Sequence, residues 1–150
     1  MSEAIRLRRV FVATLILTAM MSSAFLSNRA VATTQGAQFQ MKTTYASRYV
    51  CPIDWRRGTY QVKRLIRCAA HYYGVQADKA LVIARRESRF RPRAYNAWSC
   101  AKGIYQHLCR YWAGRADHYG FDGWSAYNAR ANIIVSMRMV RRYGWRPWGG

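Results

Sequence analysis

Acidic residues are scarce in this chain: six Asp and Glu stand against 25 Lys and Arg, 21 of the 25 being Arg, for a net charge of +19 over 150 residues. Apolar–polar alternation is also missing, so no strand ladder is predicted. Neither a phosphate-cradling glycine loop, nor a dinucleotide fingerprint, nor the common zinc-ligand spacing is present. No internal repeat is found. What remains is a length suited to one domain with a modest core. Hydrophobic residues make up 51% and are interspersed with the charges, which excludes disorder throughout. A field of this sign attracts polyanions: nucleic acid, anionic lipid or anionic cell-wall polymer.

The first residues narrow that choice. Met1 to Arg9 carries Arg6, Arg8 and Arg9 against Glu3, and Val10 to Leu26 is apolar or small and uncharged. Ala30-Val31-Ala32 then fits a small-x-small cleavage site. Basic, apolar and cleavable in that order is a secretory signal peptide, placed at 1–32. The alternative is an uncleaved anchor, since 17 apolar residues reach the lower edge of a membrane span. Removing 1–32 leaves 21 basic and 5 acidic residues, a net charge of +16. Export, to a periplasm, cell wall or exterior, argues against a nucleic-acid partner and for anionic cell-wall polymers. Residues 33–50 are polar without period and read as a flexible linker, so order is expected over 51–150.

All four cysteines, Cys51, Cys68, Cys100 and Cys109, follow the signal segment. An even count in a short exported chain predicts two disulfides, with three possible pairings. Cys51–Cys68 with Cys100–Cys109 is favoured because each closes a short loop. A metal site from Cys100, His107 and Cys109 is the rival, at spacings foreign to the common zinc pairs; no metal or cofactor is expected.

Four helices are predicted. Val62, Leu65, Ile66, Ala69 and Tyr73 share one face of Tyr60–Tyr73, with Lys63, Arg64 and Arg67 opposite and Gly74 as a left-handed stop. Asp78 caps a second helix from Lys79 to about Arg89, and Pro92 follows it. A third spans Tyr111–Tyr119, stopped by Gly120, and a fourth runs from about Asn128 to Tyr143, closed by Gly144. The fold class is all-α.

Within the second helix, Ala80, Ile83, Ala84 and Glu87 recur at i, i+3, i+4 and i+7, so Glu87 continues the buried stripe. A carboxyl group beside apolar surface resists ionisation, which is what a general acid near neutral pH needs. The alternative is an ion pair with Arg86 or Arg91, which acts in the opposite direction. His71 and His118 read as solvated side chains, and His107 as a surface residue.

The stretch Ala80-Leu81-Val82-Ile83-Ala84-Arg85-Arg86-Glu87-Ser88-Arg89-Phe90-Arg91-Pro92 resembles the first motif of the lytic transglycosylases, in the soluble-lytic-transglycosylase-like branch of the lysozyme superfamily. Ala94, Ala101 and Gly103-Ile104-Tyr105-Gln106 resemble the second motif, with Ile104 and Tyr105 in place of the commoner Leu and Met. Trp112, Ala131-Asn132-Ile133 and Gly144-Trp145-Arg146-Pro147-Trp148 match further positions, so the likeness runs from about Gln61 to Gly150. Ala126-Tyr127-Asn128-Ala129 superficially matches a later block, but it precedes Asn132 and Arg130 replaces that block's glycine.

The resemblance implies a small lysozyme-like helical domain that cleaves the β-1,4 bond between N-acetylmuramic acid and N-acetylglucosamine in peptidoglycan, as a monomer. It implies that Glu87 protonates the glycosidic oxygen and then deprotonates the muramyl C6 hydroxyl, closing a 1,6-anhydro ring. Ordinary glycosidases use two carboxylates; here the next acids are Asp117 and Asp122, about 30 residues on. Ser88, Tyr105 and Gln106 are the implied substrate-binding residues. Ser88 is equally able to bond to its own helix backbone, and Tyr105 to pack in the core. Trp112, Trp145 and Trp148 read first as packing and second as sugar platforms. A water-using lysozyme-type hydrolase and a non-catalytic cationic wall-binding protein are the competing expectations.

Overall fold

The structure, a computed structural model, describes residues 50–150. The expected signal segment 1–32 and linker residues 33–49 lie outside the described residues. Val50, the last residue of the expected linker, is buried in the core.

A 3-10 turn, Trp55–Arg57, is the first element of the described residues, with the Asp54 carboxylate accepting the Arg56 N–H at 3.1 Å. Helix α1 (Thr59–Tyr72) buries Val62, Leu65, Ile66, Ala69 and Ala70 on the predicted face. Helix α2 (Ala77–Ser88) buries Ala80, Ile83 and Ala84. It starts earlier than predicted: Gln76 holds the cap position, and Asp78 sits inside the first turn, where its charge faces the positive helix end. Arg89 and Phe90 then both adopt left-handed backbone (φ 52° and 63°), so the chain reverses before Pro92 is reached.

The all-α expectation needs correction here. Three two-residue strands, β1 (Tyr95–Asn96), β2 (Ala101–Lys102) and β3 (His107–Leu108), form an antiparallel sheet in that order. Tyr95 pairs with Lys102, Asn96 with Ala101, Ala101 with Leu108 and Lys102 with His107. Two residues are too few to display a period of two. Helix α3 (Cys109–His118) follows β3 directly.

Helix α4 (Ala129–Tyr143) is the spine of the domain, its N-terminus capped by the Asn128 side chain. Unbroken burial from Ala131 to Met137 reflects packing on several sides, α1 and α3 among them. A last 3-10 turn, Arg146–Trp148, folds Trp145 and Trp148 into the core.

Both favoured disulfides form, Cys51–Cys68 and Cys100–Cys109, which suits an oxidising environment. The metal alternative is thereby overturned, because both of its sulfurs are spent. Cys51–Cys68 ties the incoming segment to α1. Arg130 holds the same segment from α4, donating to the carbonyls of Val50 (2.6 Å), Cys51 (2.7 Å) and Ile53 (2.9 Å). Among the described residues no helix is long and apolar enough to cross a membrane.

The loop Gly103–Gln106 sits where a side chain cannot. A Cβ at Gly103 would lie 2.3 Å from both the Ala126 carbonyl oxygen and the Asn132 amide nitrogen, and φ there is +82°. Gly114, inside α3, has nothing within 4 Å of the equivalent position. The two glycines therefore respond with opposite sign. Gly103→Ala is expected to cost at least about 2 kcal/mol, whereas Gly114→Ala is expected to gain about 0.5–1 kcal/mol. Urea unfolding of both variants checks this, and a tolerated Gly103→Ala would refute the packing described.

Candidate active site

The end of α2, the sheet and the C-terminal turn enclose a cleft of about 550 Å³. Among the described residues Glu87 is the sole carboxylate lining it, and Arg86, Asn96, Ser99, Gln106, His107 and Arg115 supply the other polar side chains. Asp117 and Asp122 are exposed and do not line it.

Glu87 is not the buried, unpaired group that the helix periodicity predicts. Its side chain keeps 22% exposure, and Oε1 accepts two hydrogen bonds from Arg86, Nε at 3.0 Å and Nη2 at 2.7 Å. The ion-pair alternative with Arg86 is the one observed; Arg91 instead donates to the Ser88 carbonyl at 3.1 Å. Arg86 also donates to the Trp148 carbonyl, so its position is set by the C-terminal turn. The other carboxylate oxygen, Oε2, has no hydrogen-bond partner among the described residues.

The residues expected beside Glu87 divide. Ser88 is buried, donates to the Ala84 carbonyl at 3.2 Å and does not line the cleft, so its helix-backbone reading is the one found. The Tyr105 ring belongs to the core: its hydroxyl donates to the Ala80 carbonyl at 3.0 Å, and burial raises that phenol far above its ordinary range. Its main chain is gripped as well, with the N–H donating to Asn132 Oδ1 at 2.9 Å and the carbonyl accepting the Trp148 indole N–H at 2.9 Å. Gln106 does face the cleft. Its Nε2 donates to the carbonyls of Gly103 (2.9 Å) and Ala94 (3.3 Å), so it braces its own loop and not Glu87, while Oε1 has no protein donor among the described residues. Gln106 (φ 49°), which lines the cleft, and Cys100 (φ 57°), between the lining residues Ser99 and Ala101, also adopt left-handed backbone. Strain of this kind persists only where the surroundings over-determine it.

Two features escaped the sequence reading. His107, read as a surface residue, is fully buried on β3. Arg115 Nη1 donates to its Nδ1 at 3.0 Å, and because arginine has no acceptor the histidine proton sits on Nε2. Nε2 then donates to Ser136 Oγ at 2.8 Å, and Ser136 donates to the Asn132 carbonyl at 2.7 Å. Asn132 and Ser136, polar residues four apart on an apolar helix face, were the available signal. Trp98 was overlooked too: it stands fully exposed in the β1–β2 connection, whose backbone at Trp98 and Ser99 donates to Asn96 Oδ1 at 3.0 and 3.3 Å. Trp112, Trp145 and Trp148 are buried, as their packing reading expects.

No family model, curated protein or solved structure matches the chain.

The chemistry therefore rests on the cleft itself. It offers one carboxylate with a free oxygen, an amide oxygen on Gln106 and an amide nitrogen on Asn96, within a cationic wall. Acid–base work on a neutral polar ligand lies within that repertoire.

His107 carries a pH signature. Burial, then the Arg115 charge, lowers its pKa to about 3 from the ordinary 6.5. The unfolded chain thus binds a proton that the folded chain refuses between pH 6.5 and about 3. Stability from this group is complete above pH 6.5 and is lost as pH falls, by about 1.4 kcal/mol per unit at most. Urea unfolding at pH 7 and pH 4.5 is expected to show this loss in the wild-type chain and a smaller one in His107→Gln. Equal losses would remove His107 as the cause.

Proposed function

We propose that the protein is an exported lytic transglycosylase with a lysozyme-like domain, cleaving peptidoglycan glycan strands outside the cytoplasm. The observation that carries this reading is Glu87, among the described residues the sole carboxylate lining the cleft, with Oε2 free of hydrogen bonds and Gln106 lining the same cleft. The motif resemblance, the disulfides and the leader-like first residues support it.

The proposed cycle uses one carboxyl group twice. Protonated at Oε2, Glu87 gives its proton to the glycosidic oxygen as the bond to the muramyl C1 breaks. The resulting carboxylate takes the proton of the C6 hydroxyl, whose oxygen closes on C1. Atoms balance without water, and Glu87 ends protonated as it began. In this reading Gln106 Oε1 accepts from the sugar substituents and Asn96 Nδ2 donates to them.

Arg86 bears on both halves. Its guanidinium occupies Oε1 and leaves Oε2 for both proton transfers. The Arg86 side chain is 52% exposed, however. Pairs this open to solvent are worth about 1 kcal/mol or less.

Glu87→Gln is expected to lower the rate of glycan release at least about a thousandfold while leaving the helical signal and thermal midpoint unchanged. Mass analysis of the products reads the reaction type: ends lighter by one water are anhydro-muramyl, and ends at full hydrolysed mass indicate a water-using hydrolase. A fully active Glu87→Gln protein removes Glu87 from the mechanism. The second reading, a non-catalytic cationic wall-binding protein, is favoured by the net charge and by the Arg86–Glu87 pair. It calls for salt-sensitive binding that survives Glu87→Gln, with no glycan products at all.

A further inference from the structure

The second disulfide is built into the wall of the Glu87 cleft. Cys100 lies between the lining residues Ser99 and Ala101, and Cys109 follows the lining residue Leu108. The Cys109 N–H also donates to the Cys100 carbonyl at 3.1 Å. Cys100 holds left-handed backbone at φ 57°, a conformation that a residue with a side chain keeps only under constraint. Neighbouring parts of the wall are fixed by other means. Asn132 grips the Tyr105 N–H, and His107 is buried between Ser136 and Arg115. The exposed residues 96–99 lean instead on β2, through the Asn96–Ala101 pair, and so on the bond beside it.

The two disulfides differ in how readily they open. Cys100 and Cys109 are both half-buried, whereas Cys51 is buried. Cys109 is the first residue of α3, at the positive end of that helix and next to Arg110. A sulfur that leaves as a thiolate is stabilised there. Cys68 lies in the C-terminal half of α1, away from that helix's positive end, and Arg130 also holds the Cys51 segment. We propose that Cys100–Cys109 is a reducible latch on the cleft: a dithiol opens it selectively and frees residues 96–101 while the domain stays folded. One thiolate of the dithiol attacks Cys100 Sγ, and the electron pair of the broken S–S bond leaves on Cys109 Sγ, which takes up a proton. The second thiol of the dithiol then attacks the first sulfur and releases Cys100. The protein gains two electrons and two protons, the dithiol becomes a disulfide, and reoxidation closes the latch.

The test uses no cell-wall substrate, so its outcome is separate from that of the transglycosylase reading. The ¹⁵N-labelled full chain is treated with dithiothreitol. Free thiols are trapped with iodoacetamide at intervals and located by peptide mass analysis, with NMR spectra recorded alongside. Cys100 and Cys109 are expected to open at least about tenfold faster than Cys51 and Cys68. With that pair alone open, the amides of Ser99, Ala101 and Leu108 are expected to shift and those of Leu65, Ile133 and Met137 to stay. Removing the dithiol in air is expected to return the original spectrum. A chain carrying both Cys100→Ser and Cys109→Ser is expected to show the shifted spectrum without reductant. The wild-type chain, reduced and reoxidised, keeps the test decisive if that double variant does not fold. Opening of Cys51–Cys68 first or in step, unchanged amides beside an open Cys100–Cys109, or collapse of the core amides along with them would overturn the proposal.

Discussion

The carboxamide of Asn132 is the contact on which the rest of the domain depends. Fully buried, it accepts the Tyr105 N–H at 2.9 Å and donates to the carbonyls of Ala126 (2.9 Å) and Lys102 (3.2 Å). It thereby fixes the second motif from below and ties that loop to the segment entering α4. Its volume is also the reason Gly103 carries no side chain, since a Cβ there would occupy the same space. Only a group with both donor and acceptor meets these demands. A carboxylate has no donors, and an aliphatic replacement leaves a buried N–H and a buried carbonyl without partners, at about 1–3 kcal/mol each. From the Asn132 main chain the network continues through Ser136 and His107 to Arg115, so one cleft wall is held by a connected set of polar groups.

The scarcity of acids shapes the remainder. Among the described residues only Arg56–Asp54 and Arg86–Glu87 approach within ion-pair distance. Arginine is held instead by neutral partners. Arg130 spans three carbonyls, Arg138 donates to the Tyr119 carbonyl at 3.0 Å, and Arg110, Arg115, Arg138 and Arg142 each lie over a tyrosine ring. Carbonyl and ring contacts order a guanidinium without cancelling its charge. The folded protein therefore keeps its positive field.

The legible parts of the fold are those whose signal is long. Helices α1 and α4 repeat an apolar face over many residues, and their limits fall within a residue or two of expectation. The disulfides followed from loop length. The sheet was invisible because each strand is two residues long. His107 was misread because its partners, Arg115 and Ser136, are 8 and 29 residues away in sequence. For Ser88 and Tyr105, motif position indicated the neighbourhood of the cleft but not the direction of the side chain. Ser88 turns back on its helix, and Tyr105 turns inward to α2.

The pairing of Arg86 with Glu87 shows why periodicity misjudged the carboxyl group. Adjacent residues on a helix point about 100° apart and do not ordinarily face each other. Arg86 reaches Glu87 because the carbonyl of Trp148 draws its guanidinium toward the cleft. The same tryptophan donates its indole N–H to the Tyr105 carbonyl, within the loop that carries Gln106. One C-terminal turn thus touches both walls, the carboxylate side through Arg86 and the amide side through Tyr105. The electrostatics of Glu87 are therefore a property of the C-terminal turn as much as of α2, and no reading of the α2 segment alone contains it.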